Sequence, residues 1–403
     1  MIFDCREPFS KLRQLDWLSI FFQILLLAIG ILFIYGTGAR LGGGYATKWL
    51  KQLLWILGGV VIFLTCTLID YRKLGQQSWI LYSLELVLLV WVLTAGKRIN
   101  GAQSWIHIGG LTIQPSEFAK PATLLFMAWA VSRPGWRNSI VPSWLLTCII
   151  LFPPLLLVLM QPDMGTLLVF LPFSFCTAFI NGLRWRWIFL TIITGVVCAP
   201  ILFTHLKEHQ KARIKVFLDA PTTSFIAAAT PFVSPERAEQ WREAHHTFFK
   251  SKKIDTWNAE QSLLSVGSGG LTGKGFMQGT QYLLGYLPRP VSPTDFIFSV
   301  IAEESGFIGS GIVILLLVCV ILCSCRTAIL AADEMGMCLS LGTAAILATH
   351  SFINIAMTIQ AAPIIGIPLP FISYGGSFMF TTLALTGLCQ SVHIRRHEHA
   401  LYL

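Results

Sequence analysis

Residues 296–325 read FIFSVIAEESGFIGSGIVILLLVCVILCSC, an apolar run in which Glu303 and Glu304 are the only charged positions. About 20 apolar residues in an α-helix cross the roughly 30 Å hydrocarbon core of a bilayer. The run therefore predicts a membrane-spanning helix. A charged group at bilayer depth costs about 2.5–3.5 kcal/mol on insertion scales, so each acid there needs a partner or a task.

The rest of the chain has the same character: 54% of its 403 residues are hydrophobic, 12% are charged, and its mean hydropathy is +0.67. Soluble domains carry about twice that charged fraction, so a soluble globular protein is excluded. We predict a single all-α polytopic membrane domain over residues 1–403, with about ten transmembrane helices. The apolar runs lie near 18–38, 53–70, 78–95, 118–132, 143–161, 165–182, 186–204, 296–325, 338–360 and 372–393.

The distribution of Lys and Arg sets the predicted orientation. An even number of spans puts both termini on one side, and short loops rich in Lys and Arg stay in the cytoplasm. With cytoplasmic termini, the inner segments carry 12 such residues and the short outer loops 5. We therefore expect a multi-pass membrane protein with both termini in the cytoplasm and residues 205–295 as a large extracytoplasmic loop between spans 7 and 8. This bias explains the net charge of +9 without a nucleic-acid partner.

Within that loop, Ser234-Pro-Glu-Arg237 is typical of a helix start, because proline favours the first helical position. Trp241, His245 and Phe249 then recur at helical spacing. We predict a helix over residues 235–250. It would lie either on the outer leaflet or against the rim of the protein itself.

Two charged positions near the start of the fourth span are candidate site residues. Glu117 and Lys120 are three residues apart and therefore share one helix face. They are expected to form an ion pair that still offers a cation to a phosphate, or else a purely structural salt bridge. Asp163, between the fifth and sixth spans, either caps the next helix or lines the site.

A glycine-rich segment, Ser262-Leu-Leu-Ser-Val-Gly-Ser-Gly-Gly-Leu-Thr-Gly-Lys-Gly275, resembles a phosphate-binding loop only superficially. The G-x-x-x-x-G-K-[ST] pattern needs glycine where this chain has Ser268, and Ser or Thr where it has Gly275. The segment is then either a loop whose backbone approaches a ligand closely, carrying Lys274 and leading to Gln281, or a plain turn-rich connector.

Three further polar features lie in or beside apolar spans. His350 is expected to be a hydrogen-bonded core histidine. Glu303 and Glu304 are expected either to satisfy interior polar groups or to share a metal site with Asp295. The segment from Pro368 to Ser377 is a broken start of the last span, which is tolerated at membrane depth only inside protein or beside a water-filled cavity.

Five segments occur in the order and spacing of a known family: 99–120, 161–165, 262–281, 294–304 and 369–377. Together they resemble the SEDS family of RodA, FtsW and SpoVE over nearly the whole chain. The resemblance implies a ten-span peptidoglycan glycosyltransferase that polymerises lipid II and works with a class B penicillin-binding protein. Residues 354–357 and 362–370 resemble the RodA branch, which implies the elongation machinery, cell-wall elongation and cell shape. An FtsW-type division polymerase is the alternative.

The chemistry of lipid II suggests roles for these residues. Its donor sugar is α-linked to a diphosphate whereas the polymer is β-linked, so one displacement with inversion needs one base and one leaving-group stabiliser. Asp295 would be the catalytic base, a role typically worth about 10²–10⁴-fold. Thr294 is a candidate N-cap that would place Asp295 in the first helical turn, where the helix dipole favours an ionised carboxylate. The predicted substrate-binding residues are Glu117, Lys120, Arg213, Ser262, Lys274 and Gln281.

The sequence does not decide which group stabilises the leaving diphosphate. Lys120, Arg213, Lys274 and a bound Mg²⁺ or Mn²⁺ are alternatives. The chain also departs from the family pattern, since residues 287–295 lack the Glu and His that precede the acid and the stretch 221–256 is longer than usual. Two rival functions are a transporter that flips lipid II and a scaffold that only activates its partner. The chain shows no internal repeat of the kind that many transporters have.

Overall fold

The computed structural model describes residues 13–398, except 100–101, 109–110, 134–142, 206–210, 250–256, 288–290 and scattered positions from 212 to 234. Helices dominate the described chain. They are α1 Trp17–Leu41, α2 Lys48–Leu68, α3 Tyr71–Ala95, α4 Pro115–Val131, α5 Ser143–Met160, α6 Met164–Ile180, α7 Trp185–His205, α8 Pro235–Phe249, α9 Trp257–Ser268, α10 Thr280–Leu283, α11 Ile297–Leu330, α12 Glu334–Thr358 and α13 Gly376–Ile394.

Each of the ten apolar runs overlaps one of these helices. Within the described residues, five helices are long and apolar enough to cross a membrane, namely α1, α2 (extended to Gly43), α3, α11 and α12, and α5 and α6 are shorter apolar helices. The predicted fold class, a helical polytopic membrane protein, is confirmed. The division into ten spans and the outer position of residues 205–295 stay predictions.

One small sheet interrupts the helical pattern between α3 and α4. Its antiparallel strands are β1 Lys97–Ile99, β2 Ala102–Ile108 and β3 Leu111–Ile113, paired in chain order. The expectation of purely helical structure did not include it, because strands this short lack a hydropathy signal of their own. The sheet leads directly into α4, which carries Glu117 and Lys120.

Two apolar cores divide the bundle. The first is built from α3, α4, α5, α6, α12 and α13. The second gathers α1, α2, α11 and the non-helical residues 369–372. The segment between α12 and α13 therefore lies inside protein, as the broken start of the last span requires.

The predicted helix in the outer segment is present as α8, Pro235–Phe249. Ala238 is buried, whereas Trp241 is 39% exposed. His245 lies within hydrogen-bonding distance of Thr222 and Thr223, so this helix contacts the chain just before it. Its contact with a membrane stays a prediction.

Helix α11 is broken at Gly306, whose φ of 66° and ψ of −162° are a backbone conformation that essentially only glycine adopts. The amides of Phe307 and Ile308 after the break donate to the carbonyls of Gly270 (2.8 Å) and Leu271 (3.1 Å). In return, the amides of residues 274 and 275 donate to the carbonyls of residues 303 and 304, both at 3.0 Å. The glycine-rich loop thus supplies the hydrogen bonds that the break removes.

Replacing Gly306 by Ala should destabilise the protein, because a Cβ there would clash with the amide nitrogen of Gly273. Together with the unfavourable backbone angles, we expect a loss of about 1–3 kcal/mol, seen as a lower melting temperature in detergent. Gly311→Ala is the matched control, because a Cβ at Gly311 in the same helix meets nothing within 4 Å. Equal melting of the two variants would contradict the assigned role of the break.

Candidate active site

Asp295 lies in a tight turn just before α11. The amides of Thr294, Asp295 and Phe296 all donate to the carbonyl of Val291, at 3.0–3.2 Å. Because this turn takes up the chain before the helix, α11 begins at Ile297 with Phe296 as its N-cap. The expectation that Thr294 caps the helix is therefore wrong: its hydroxyl donates to the Val291 carbonyl at 3.1 Å, and Asp295 precedes the first helical turn.

The backbone around Asp295 is bonded to the segment between α12 and α13. The buried side chain of Asn354 donates to the carbonyls of Asp295 (2.9 Å) and Ile367 (2.6 Å). Ser373 donates its hydroxyl to the carbonyl of Thr294 at 2.6 Å. Residues 294 and 295 are thus held by side chains from two other parts of the chain.

Gly366 lies next to the carboxylate of Asp295. A Cβ on Gly366 would be 3.3 Å from the Asp295 Oδ2 atom, and the glycine has a φ of +81°. Both the backbone conformation and the close approach therefore favour glycine at this position. The side chain of Asp295 itself is half-buried.

Glu117 and Lys120 form the predicted ion pair, with 2.8 Å between Lys120 Nζ and Glu117 Oε2. Lys120 is only 2% exposed, and its Nζ also lies 3.0 Å from His350 Nε2. Because an ammonium group only donates, Nε2 accepts, and the proton on Nδ1 is donated to the carbonyl of Pro368 at 3.2 Å. His350 is thus a hydrogen-bonded core histidine, as predicted, and it links Lys120 to the segment beside Asp295.

Asp163 caps α6, as the commoner use of aspartate suggests. Its Oδ1 accepts from the amide of Thr166 at 3.1 Å. Its Oδ2 accepts from Gln114 and from the hydroxyls of Ser116 and Thr166, all at 3.0 Å. Four donors on one carboxylate tie the start of α4 to the start of α6.

Glu303 and Glu304 hold the loop of residues 269–281 onto α11. Glu303 Oε1 accepts from Lys274 Nζ (2.6 Å), from the amide of Thr280 (2.7 Å) and from the amide of Gln281 (3.1 Å). Lys274 also donates to the Thr280 hydroxyl at 2.8 Å. The interpretation that these acids satisfy interior polar groups is confirmed, and Lys274 is engaged with Glu303.

Glu304 anchors the same loop one residue further along. It accepts from the amide of Met277 (3.0 Å) and from the hydroxyl of Tyr282 (3.0 Å). Burial and the adjacent Glu304 carboxylate raise the pKa of Tyr282 above its ordinary value, so its hydroxyl stays protonated and donates. The side-chain oxygen of Gln281, by contrast, is buried without a hydrogen-bond partner in the described part of the chain.

The other two predicted substrate-binding residues are Ser262 and Arg213. Ser262 is fully buried, donates to the carbonyl of Thr358 at 2.9 Å and contacts the hydroxyl of Ser299 at 2.7 Å, so it ties α9 to α11 and α12. Arg213 lies outside the described residues. The role of each in substrate binding stays a prediction.

The described residues contain no group of three His, Cys, Asp or Glu side chains arranged to hold a metal ion. The carboxylates of Asp163, Glu303 and Glu304 already accept several protein hydrogen bonds each. A Mg²⁺ or Mn²⁺ ion therefore stays a prediction without a described ligand cluster.

Sequence reasoning missed the residues that support the site. Asn354 and Ser373 are not among the predicted site residues, although a buried amide in an apolar helix indicates that its side chain is hydrogen-bonded. Gln52 is not among the predicted site residues either. Its side-chain amide donates to the carbonyl of Ser373 at 3.1 Å and accepts from the amide of Gly375 at 3.2 Å, so it holds the segment 373–375.

The helical bundle and its buried polar network define a multi-pass membrane protein. Residues 16–398 match the FtsW, RodA and SpoVE family, described as cell cycle protein. The chain belongs to this family.

Individual relatives agree with this assignment. A peptidoglycan glycosyltransferase RodA of Treponema pallidum is 30% identical, over 94% of this chain and 98% of the relative. The peptidoglycan glycosyltransferase MrdB of Escherichia coli is 32% identical, over 84% and 83%. A probable FtsW of Trichlorobacter lovleyi also matches, at 30% over 96% and 95%.

The fold is shared with a solved chain described under "structural coordination of polymerization and crosslinking by a peptidoglycan synthase complex". The TM-score is 0.69 at 24% identity, over 95% of this chain and 99% of that one. At this identity the likeness establishes the fold.

Lys120→Met should be strongly destabilising, because it leaves the Glu117 carboxylate buried without its cation, at a cost of about 3–5 kcal/mol. The double variant Glu117→Gln/Lys120→Met removes both charges and should recover most of the lost melting temperature. If Lys120 also binds diphosphate, the double variant will be folded and yet severely impaired in turnover. Normal turnover per folded molecule would leave the pair a purely structural role.

Proposed function

We propose that this chain is a RodA-type peptidoglycan glycosyltransferase, which polymerises lipid II into β-1,4 glycan strands with Asp295 as the general base. The observation that carries this proposal is the placement of Asp295. Its carboxylate is half-buried beside Gly366, and its carbonyl is held by Asn354. The family membership and the names of the relatives support the activity.

The proposed reaction needs one proton acceptor. The 4-hydroxyl of the acceptor sugar attacks the anomeric carbon of the donor, and its proton passes to the carboxylate of Asp295. The bond from the anomeric carbon to the diphosphate breaks, and the diphosphate leaves with both electrons. A single in-line displacement inverts the α-linked donor to a β-linked product, so no second carboxylate has to act as a nucleophile.

The rigidity of the Asp295 turn supports this role. A general base must lie within about 2.6–3.2 Å of the proton it takes, so small displacements are costly. The turn is fixed by the three amides that share the Val291 carbonyl and by the side chains of Asn354 and Ser373. Glycine at position 366 places no side chain against the Oδ2 atom, where a Cβ would lie 3.3 Å away.

The leaving diphosphate needs positive charge. Lys120 uses two of its three N–H groups for Glu117 and His350, and Lys274 is bonded to Glu303 and Thr280. The proposed substrate-binding residues are the cations Lys120, Lys274 and Arg213, together with Glu117, Ser262 and Gln281. A divalent cation, Mg²⁺ or Mn²⁺, would supply further positive charge for the diphosphate.

The proposal includes a cellular setting. Both termini would be cytoplasmic, the site would face outward, and a class B penicillin-binding protein of the elongation machinery would cross-link the product. The Lys and Arg distribution supports the orientation. The similar fold of a chain from a peptidoglycan synthase complex supports the partnership. Identity to RodA-type and FtsW proteins is comparable, so the branch rests on the residues at 354–357 and 362–370.

Asp295→Asn should abolish lipid II polymerisation, because it removes the base while keeping the volume of the side chain. Melting temperature and binding to the penicillin-binding partner should stay near normal. Glu260→Gln is the matched control, since Glu260 is an exposed acid of the same outer segment and should keep full activity. Glycan synthesis by the Asp295 variant at even about a tenth of the normal rate would rule out a general base of ordinary strength.

A further inference from the structure

Lys48, the first residue of α2, is a cation held against two aromatic rings. Its Nζ lies 4.4 Å from the ring centroid of Tyr45 and 5.2 Å from that of Tyr374. The side chain is half-buried. Within the described part of the chain it forms neither a hydrogen bond nor an ion pair.

The position of Lys48 connects it to the turn that carries Asp295. One helical turn further along α2, Gln52 is bonded to the segment 373–375. The amide of Tyr374 donates to the carbonyl of Pro293 at 2.9 Å. The start of α2, the segment 373–375 and the residues just before Asp295 are therefore one hydrogen-bonded unit, with Lys48 resting on its Tyr374 ring.

The described surroundings of Lys48 favour the binding of an anion. A ring face attracts an ammonium group by about 0.5–2 kcal/mol but accepts none of its protons in a conventional hydrogen bond. Lys51, one turn along the same helix, adds a second positive charge and no compensation. Lys48 donates none of its three N–H groups to a described protein group. A half-buried ammonium group of this kind is suited to bind an oxyanion with several acceptor oxygens.

The other two described cations of the predicted site differ in this respect. Lys120 is 2% exposed and bonded to Glu117 and His350. Lys274 lies 2.6 Å from the carboxylate of Glu303. Each therefore has its charge balanced inside the protein, whereas Lys48 has no balancing acid among the described residues.

We propose that Lys48 binds the diphosphate of the lipid-linked sugar donor at the outer end of α2, beside the Asp295 turn. The inference rests on the proposed function for the identity of the substrate. Lys48 holds the diphosphate in place and offsets the negative charge that develops as the anomeric bond breaks. The Tyr45 and Tyr374 rings orient the ammonium group for this contact.

Three variants test this role in the purified complex with the penicillin-binding partner. Lys48→Met keeps the aliphatic stem and removes the charge, and it should lower kcat/KM for lipid II about tenfold or more, as expected for the loss of one charge-assisted contact. Lys48→Arg should recover most of this loss. Lys51→Met is the matched control, because it removes an exposed cation one turn away and should stay near the wild-type value.

A second measurement does not depend on polymerisation. Inorganic pyrophosphate, added without divalent cations, should raise the melting temperature of the wild type and of Lys51→Met but not of Lys48→Met. If the protein failed to polymerise lipid II, this arm would still show whether Lys48 binds a diphosphate. The proposal is overturned if Lys48→Met keeps the pyrophosphate effect or a normal kcat/KM, or if both lysine variants lose them equally. A lower melting temperature with normal kcat/KM per folded molecule would make Lys48 a packing residue.

Discussion

Backbone at bilayer depth has to be hydrogen-bonded by protein, and the non-helical segment between α12 and α13 shows how this need shapes the site. Its carbonyls at Ile367 and Pro368 accept from Asn354 and His350. The same two side chains also hold the carbonyl of Asp295 and the ammonium group of Lys120. The groups that stabilise the broken backbone are thus the groups that position the proposed chemistry, so the loop and the site depend on each other.

Charge is distributed by the same rule. Two cations of the bundle are paired with buried acids, Lys120 with Glu117 and Lys274 with Glu303. Such pairs cost less than single buried charges, and they fix helices and loops in register. The acids of α11 accept hydrogen bonds from the loop of residues 269–281, which also supplies the hydrogen bonds at the break at Gly306. In the proposed reaction, a cation without an acid partner is the one best suited to bind the substrate. Among Lys48, Lys120 and Lys274, Lys48 is the one without such a partner in the described part of the chain.

Much of this architecture could be predicted from the sequence. Apolar runs located the helices because burial in lipid requires continuous apolar surface, and the three-residue spacing of Glu117 and Lys120 predicted their contact. The capping role of Asp163 followed from its position. The failure at Thr294 arose because three amides share the Val291 carbonyl in a tight local turn, so the helix starts only at Ile297. The contacts of Asn354 and Lys48 join segments far apart in the chain, so spacing along the sequence does not reveal them.

In the proposed function this chain itself forms glycan strands, rather than moving lipid II or only activating a partner. The most direct measurement is polymerisation of lipid II in detergent by the purified chain, by its penicillin-binding partner alone, and by the two together. We expect β-linked strands whenever this chain is present and none from the partner alone. Strands made by the partner alone, or none in the presence of this chain, would contradict it.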